Sequence, residues 1–519
     1  MLTHGLWNKR VNGKWYRSFD PQILSPGNQL FLPTIRSILS NTDIYTWQLV
    51  PFPTPLHMNL DYVYNIDQDT GFLTITQWDE VVEPLDRSLL IRRVKLTDVL
   101  DTPLSALNFV FQFENVEQGL DPTSDSLSDD QDEAWIFEPL EIGLEPPTPL
   151  NELQFLIFTH LVFTWRFYFD DILAWKYPSR LFNTLAFGLL RIAAWDFEVL
   201  LKNDTDEARG IFSSIPRWKA PAEDIFWFHG YLVVFCSPIE TETTICRTVL
   251  RAKDYLSESN QLGAVIHTIL ISIQHVVLVE ISNHRVSCSP PVPLVTNTSA
   301  IECSPGFRIL AYMLSSYSWK GSLASREHWR VTLPPEIFDM MLKCLSPRDI
   351  VSFAQASFAV ERWYYSSIPQ LGGLTVQSFD LSVPCCGKRD SQLLDGIHCS
   401  ICYAWYHVNC IGPDLNLDVQ VNKFLCFACQ LKKTCTSLQF GGIHQVYRLK
   451  QGIQQCMVAT RRNVKVLRLR VNQPTCRLRP DLFLNSFRPV DPELINYTIY
   501  FGGVFSGLCY GLDCIMSSH

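Results

Sequence analysis

The chain has 519 residues, 47% of them hydrophobic and 18% charged, with a net charge of −9. This composition supports several packed cores and excludes global disorder, and the overall charge excludes a uniformly basic nucleic-acid binder. Charge is also segregated: residues 114–145 hold eleven acids and no base, whereas residues 419–480 hold twelve Lys or Arg and no acid. All 17 cysteines follow residue 235 and eight lie within 385–435. Cys236, Cys246, Cys288, Cys303 and Cys344 show no disulfide spacing, and the opening MLTHGLWNKRVNGKWYRSF has no apolar signal-peptide run. The expectation is a reducing, intracellular setting, nucleus or cytoplasm, with thiols available for zinc.

The pattern along the chain predicts an α+β multidomain protein. Residues 1–120 read as a β-rich domain. Asp61–Thr76 alternates apolar and polar residues on both sides of a polar turn at Gly71, the signature of a hairpin. Its Asp67-x-Asp69-x-Gly71 fragment resembles the start of a calcium loop but lacks the later acid, so it reads as a turn. Leu89–Val99 and Ala106–Glu114 are further strand candidates. Residues 121–149 read as an acidic loop or linker. Residues 150–330 read as a mostly helical globular region, with a buried helix over Leu181–Leu200. Within it, Leu262–Ile281 is long enough to cross a membrane, but His267, Gln274, His275 and Glu280 interrupt it. Polar groups at bilayer depth are costly, so it reads as a buried helix running into a buried strand, and no membrane partner is expected. Ser287–Pro305 reads as a Pro/Ser-rich linker. No Gly-rich phosphate loop follows a strand and no Ser/His/Asp spacing stands out. His267, His275 and His444 read as core or surface residues, and no enzyme is expected.

Residues 331–371 change character. Ile337, Met340, Met341, Cys344 and Leu345 fall on one face of a helix. Ser346-Pro347-Arg348-Asp349 then supplies an N-cap, a first-turn proline and an acid that can close a capping box. A second amphipathic helix follows on Ile350, Phe353, Ala354, Ser357 and Phe358. The string LPPEIFDMMLKCLSPRDIVSFAQASFAVERWYY resembles an F-box, with Leu333, Pro334, Glu336, Ile337, Leu345, Asp349 and Ile350 at its start and middle and Trp363 as its late aromatic. The resemblance implies docking on the Skp-type adaptor of a cullin (SCF) ubiquitin ligase through Leu333, Pro334, Ile337, Leu345 and Ile350.

Residues 381–432 hold eight metal-ligand types in order: Cys385, Cys386, Cys399, Cys402, His407, Cys410, Cys426 and Cys429. Cys399-x-x-Cys402 and Cys426-x-x-Cys429 are zinc knuckles, and His407-x-x-Cys410 repeats the spacing. With the His fifth and Trp405 two residues before it, the segment resembles a PHD finger more than a RING finger, which places its His fourth. The resemblance implies two zinc ions. Cys399, Cys402, Cys426 and Cys429 would share one, and His407 and Cys410 would share the other with the first Cys pair. That pair departs from the family pattern, because Cys385 and Cys386 are adjacent. Cys386 fits the second ligand, which leaves the first place to Pro384, a residue that cannot ligate, so either Cys385 compensates, a ligand such as Cys435 is borrowed, or the first site is weak.

In methyl-lysine readers a Trp before the His lines an aromatic cage. Trp405 matches it, although no other cage aromatic does, and Asp390 and Asp395 stand as alternative partners for a basic tail. Residues 433–519 read as a basic, β-containing tail. Lys465–Val471 alternates Leu and Val with Arg468 and Arg470, and with Arg461 and Arg462 these offer contacts to DNA phosphates. The order of a large N-terminal region, an F-box-like segment and a PHD-type finger is similar to that of fungal F-box-like proteins. It implies an adaptor or substrate-recognition role. The alternative is a chromatin-associated protein that binds histone tails or DNA.

Overall fold

A computed structural model describes residues 5–18, 28–40, 47–56, 60, 62–78, 89–101, 114–115, 137–140, 142, 144, 147, 149–165, 168–169, 181–201, 216–236, 239, 241–259, 265–282, 285–296, 299, 303–315, 334–346, 349, 352–353, 360, 370–371, 374–379, 396–411, 424–427, 429–430, 467–470, 475–480 and 497–514. They form two compact units, one within Met1–Ala134 and Trp165–Phe182, the other within Trp135–Thr164, Asn183–Gly441 and Ala459–His519.

The first unit contains β1 (Gly5–Val11), β2 (Lys14–Ser18), α1 (Phe31–Ser40), β3 (Gln48–Val50), β4 (Tyr62–Asp67), β5 (Phe72–Trp78), β6 (Leu89–Lys95), α2 (Leu96–Asp101) and β7 (Glu114–Asn115). The sheet order is β3-β2-β1-β4-β5-β6-β7, with β1 and β4 parallel. The hairpin expected over Asp61–Thr76 is β4–β5. The strand expected over Leu89–Val99 stops at Lys95, because Leu96 and Val99, one helical turn apart, join the core under α1. Of Ala106–Glu114, only Glu114 lies among the described residues. Trp7, Phe31, Leu32, Ile35, Tyr64, Ile66, Leu73 and Ile75 fill the helix-covered face, with Trp7 stacked on Tyr64 at 4.2 Å. On the other face the buried Asn8 and Asn65 stand in register and hydrogen bond at 2.6 Å. A one-residue slip of β1 against β4 would strand both amides in an apolar core, so the pair fixes the register. The turn after β4 is held by protein donors. Asp69 accepts from the N–H groups of Asn12 (2.8 Å) and Gly13 (2.7 Å), and Arg10 reaches both Asp67 (3.2 Å) and Asp69 (3.4 Å).

The second unit contains β8 (Glu138–Pro139), α3 (Pro149–Thr164), α4 (Leu181–Ala193), β9 (Glu198–Leu201), β10 (Ile225–Phe228), β11 (Tyr231–Phe235), α5 (Glu242–Glu258), β12 (Ile266–Ile271), β13 (His275–Ile281), β14 (Val286–Cys288), β15 (Val292–Pro293), α6 (Pro305–Ser315) and α7 (Pro335–Cys344). After these come β16 (Gln370–Leu371), β17 (Leu374–Phe379), β18 (Gly396–His398), β19 (Trp405–His407), β20 (Leu467–Arg470), β21 (Thr475–Pro480), β22 (Tyr497–Phe501) and β23 (Val504–Cys514). One sheet runs β10-β11-β12-β13-β14-β8, with β15 also on β13, and a second runs β16-β17-β20-β21-β23-β22-β9. The α+β class is therefore present, but the region expected to be mostly helical contains β9–β15. The helix expected in Leu262–Ile281 is instead strand β12. Ile266–Ile271 is a β-branched run, and Ser272 turns the chain by accepting from the His275 N–H at 2.8 Å. The helix expected over Leu181–Leu200 ends at Ala193 and passes into β9. The expected linker Ser287–Pro305 supplies β15 and part of β14. Residues 121–133 lie outside the described residues.

The helices complete the core. Parallel β11 and β12 are joined through α5, whose Ile245, Val249, Ala252 and Leu256 pack on Leu232, Val234, Leu270 and Val277. Thr241 caps α5 by accepting from the Thr244 N–H. Helix α6 is buried almost throughout and lies against β13, β15 and α3, with Phe158 stacked on Phe307 at 4.1 Å. Gly306 permits this approach, since a Cβ there would sit 2.5 Å from the Pro293 carbonyl oxygen. On α3, the fully buried Gln154 donates to the carbonyls of Ile192 (3.0 Å) and Ala193 (2.7 Å), which end α4. Gln154→Leu keeps the volume and removes both donors. The expected loss is about 1–3 kcal/mol, checked by urea denaturation of the full chain.

Candidate metal centre

Strands β18 and β19 form a two-stranded ribbon with Gly396 opposite His407 and His398 opposite Trp405. The knuckle Cys399–Cys402 lies between them. Cys399 accepts from the Tyr403 N–H at 2.9 Å and donates its own N–H to Ala404 at 2.9 Å. Tyr403 takes the left-handed conformation (φ 54°) that reverses the chain after the second cysteine. The other knuckle is tied in by Ser400, whose N–H donates to the Phe424 carbonyl at 2.8 Å. Cys399, Phe424, Cys426 and Cys429 form a small core with Ile397, Tyr406 and Leu425 against it. Tyr406 meets Phe424 edge-on at 5.4 Å.

This framework brings the sulfurs of Cys399, Cys402, Cys426 and Cys429 within 4.8 Å of one another. A tetrahedral zinc with bonds of about 2.3 Å needs sulfurs about 3.8 Å apart, and Cys402 Sγ lies 3.7 Å from Cys426 Sγ. The Cys426 N–H donates to Cys399 Sγ at 3.4 Å. Hydrogen bonds from Cys399 and Cys402 hold Cys426 far below the ordinary thiol range. Bonding to Cys399 and Cys426, with burial, pushes Cys402 far up, and burial foremost pushes Cys429 up to about 12. Four thiolates at this spacing repel strongly, so only a cation that binds all four can displace the remaining protons. The donor set fits zinc, which when bound would supply a tetrahedral crosslink.

The cysteine group coincides with one of the two zinc sites that the family resemblance implies. For the other, Cys385 and Cys386 lie outside the described residues, and His407 and Cys410 belong to no metal-ligand cluster among the described residues. His407 is buried and Cys410 exposed. Trp405 is only 7% exposed. Its indole lies over Gly396, where a Cβ would meet the ring at 2.1 Å, and it meets the His407 ring edge-on at 4.7 Å. In this structure Trp405 packs inside the finger. Asp390, Asp395, Leu333, Ile350, Arg461, Arg462 and Lys465 lie outside the described residues. Arg468 and Arg470 sit on β20, opposite Arg477 and Thr475.

Two residues that were not anticipated seat the finger on the core. Arg308 of α6 donates to the Cys402 carbonyl at 3.0 Å, and Tyr312 meets the His398 ring edge-on at 5.1 Å. They are four residues apart on α6, a helical-face spacing that reveals a shared direction but not its target.

Cys426→Ser removes one of the four sulfurs at the point where both knuckles touch. A cobalt titration of the wild-type chain is expected to give the thiolate charge-transfer and tetrahedral d–d absorption bands, and the Cys426→Ser chain is expected to lose most of that intensity. Compared with family models, with curated proteins and with solved structures, the chain finds no match.

Proposed function

We propose that this chain is an adaptor or substrate-recognition protein of an SCF-type ubiquitin ligase. In this reading the F-box-like helices bind the Skp-type adaptor, and the zinc-stabilised finger is part of the arm that holds a target. The observation that carries it is the outward face of α7. Ile337, Met340 and Met341 are 38%, 63% and 37% exposed, whereas their neighbour Phe338 is buried and lies 6.3 Å from Phe353. An isolated amphipathic helix buries its apolar stripe, so a stripe of Ile and Met left in water is a surface suited to a partner. At the two ends of α7, Pro334 is exposed and Leu345 half-buried. The turn that follows is capped as the sequence implies, with Ser346 accepting from the Asp349 N–H at 3.3 Å and donating to its carboxylate at 2.6 Å.

The chromatin reading has less support. Its methyl-lysine cage depended on Trp405, which is packed against Gly396 and His407. Among the described residues no helix is long and apolar enough to cross a membrane.

Ile337→Asp with Met340→Asp places two charges on exposed positions and leaves Phe338 in place. The wild-type chain is expected to co-purify with the Skp-type adaptor and the double variant to lose at least tenfold of that binding with an unchanged melting temperature. Absence of co-purification in both would discard the reading.

A further inference from the structure

Strands β20 and β21 are antiparallel neighbours in the second sheet of the second unit, with β17 on one side and β23 on the other. Their register sorts residues by face, because directly opposite residues share a face and successive residues alternate. Leu469 stands opposite Val376 and Cys476, and Leu478 opposite Leu512. Arg468 stands opposite Arg477, Arg470 opposite Thr375 and Thr475, and Arg479 opposite Gly511. The pair therefore has one apolar face, with Leu467, Leu469, Cys476 and Leu478, and one basic face, with Arg468, Arg470, Arg477 and Arg479. Sequence alternation on β20 alone shows the first two arginines; only the pairing adds the second two.

Helix α3 lies against β17 and against β23, the strands that flank this pair, so it crosses one face of the sheet. An antiparallel sheet keeps its apolar face on the core. The leucines therefore belong to the face under α3, and the arginines to the opposite face.

The basic face is costly as it stands. Like charges directly opposite on neighbouring strands destabilise a sheet, and Arg468 and Arg477 are such a pair. Arg470 is diagonal to Arg477, and Arg479 to Arg468. The register gives the four one acid, Asp513 opposite Arg477. Elsewhere on this face their partners are Ser378, Thr375, Thr475 and Gly511, which carry no charge. An anion laid across the face removes the repulsion.

The shape of the strip selects the anion. At about 3.3 Å per residue, the four arginines extend about 13 Å along the strands and a single strand spacing of about 5 Å across them. That is long for one phosphoryl group, whereas one strand of a duplex carries a phosphate about every 3.4 Å along the axis, or about four over this length. All four cations are arginine, whose planar fork matches phosphate oxygens in pairs. Their small and hydroxylated neighbours allow a backbone to come close and can donate to phosphate. No apolar residue stands among them in the register to enter a lipid layer, which a membrane surface requires. The surrounding sequence has the same bias, with twelve Lys or Arg and no acid over residues 419–480.

We propose that the β20–β21 face, where Arg468 stands opposite Arg477 between Arg470 and Arg479, is a phosphate-backbone site for duplex nucleic acid that reads no base sequence. It uses none of the α7 residues on which the adaptor reading rests.

Fluorescence anisotropy of a labelled random duplex of about 20 base pairs, titrated with the full chain at several salt concentrations, tests the site. Binding of the wild-type chain is expected at about 100 mM salt, weakening steeply as salt rises. Arg468→Thr with Arg477→Thr removes two phosphate contacts, so the log–log salt slope is expected to become shallower by about 1.8 and the affinity to fall at least tenfold. The same variant relieves a repulsion, so its melting temperature is expected to be unchanged or higher. Asp513→Asn removes the one acid and is expected to tighten binding several-fold, a change that loss of folding cannot produce. The proposal is overturned if the wild-type chain does not bind the duplex, if R468T/R477T keeps the wild-type affinity and slope, if D513N fails to tighten binding, or if vesicles of phosphatidylserine and phosphatidylcholine bind the chain more tightly than the duplex does.

Discussion

Four sulfurs converge at a spacing that thiolates alone cannot hold. Everything around the finger follows from that constraint. The ribbon β18–β19 sets one knuckle, the left-handed Tyr403 closes it, and Ser400 ties the segment before Cys426 to it. The small core of Phe424, Ile397 and Tyr406 is too slight to stabilise the finger by burial alone, which is the usual reason that segments of this size carry a metal. Through Arg308 and Tyr312 the same knuckle rests on α6, a helix buried almost throughout. A crosslink at the cysteines therefore bears on the core as well as on the finger.

What the sequence revealed was local. The hairpin at β4–β5, the Ser346 cap on Asp349 and the two Cys-x-x-Cys knuckles are all written within a few residues. The missed features depend on distant partners. Strand β9 pairs with β22 although they are about 300 residues apart in the chain, and no pattern within either segment announces it. Ile266–Ile271 was read as helix because a mostly apolar run looks alike in a buried helix and a buried strand, and the pairing with β11 and β13 decides it. The stripe on α7 was legible as a stripe, but periodicity cannot say whether it faces a core or water. Trp405 shows the same limit: its position before His407 was clear, whereas its packing over Gly396 depended on the ribbon register.

The second unit combines two kinds of surface. Among the described residues, the strands β11, β12 and β13 are enclosed in an apolar core, and the buried Asp196 is paired with Arg191. Against that background the Ile337, Met340 and Met341 face stands out, because a chain able to enclose long apolar strands leaves this short helix uncovered. The second unit thus carries both an exposed apolar helix face and a group of four cysteines spaced to hold a metal ion.

Elemental analysis of the purified full-length chain is the most direct measurement. If the Cys399, Cys402, Cys426 and Cys429 group holds zinc, about one tightly held zinc per chain is expected, and about two if His407 and Cys410 complete a second site. Zinc well below one per chain, in protein that is folded and has its thiols reduced, would contradict the metal centre on which the finger and its seat on α6 depend.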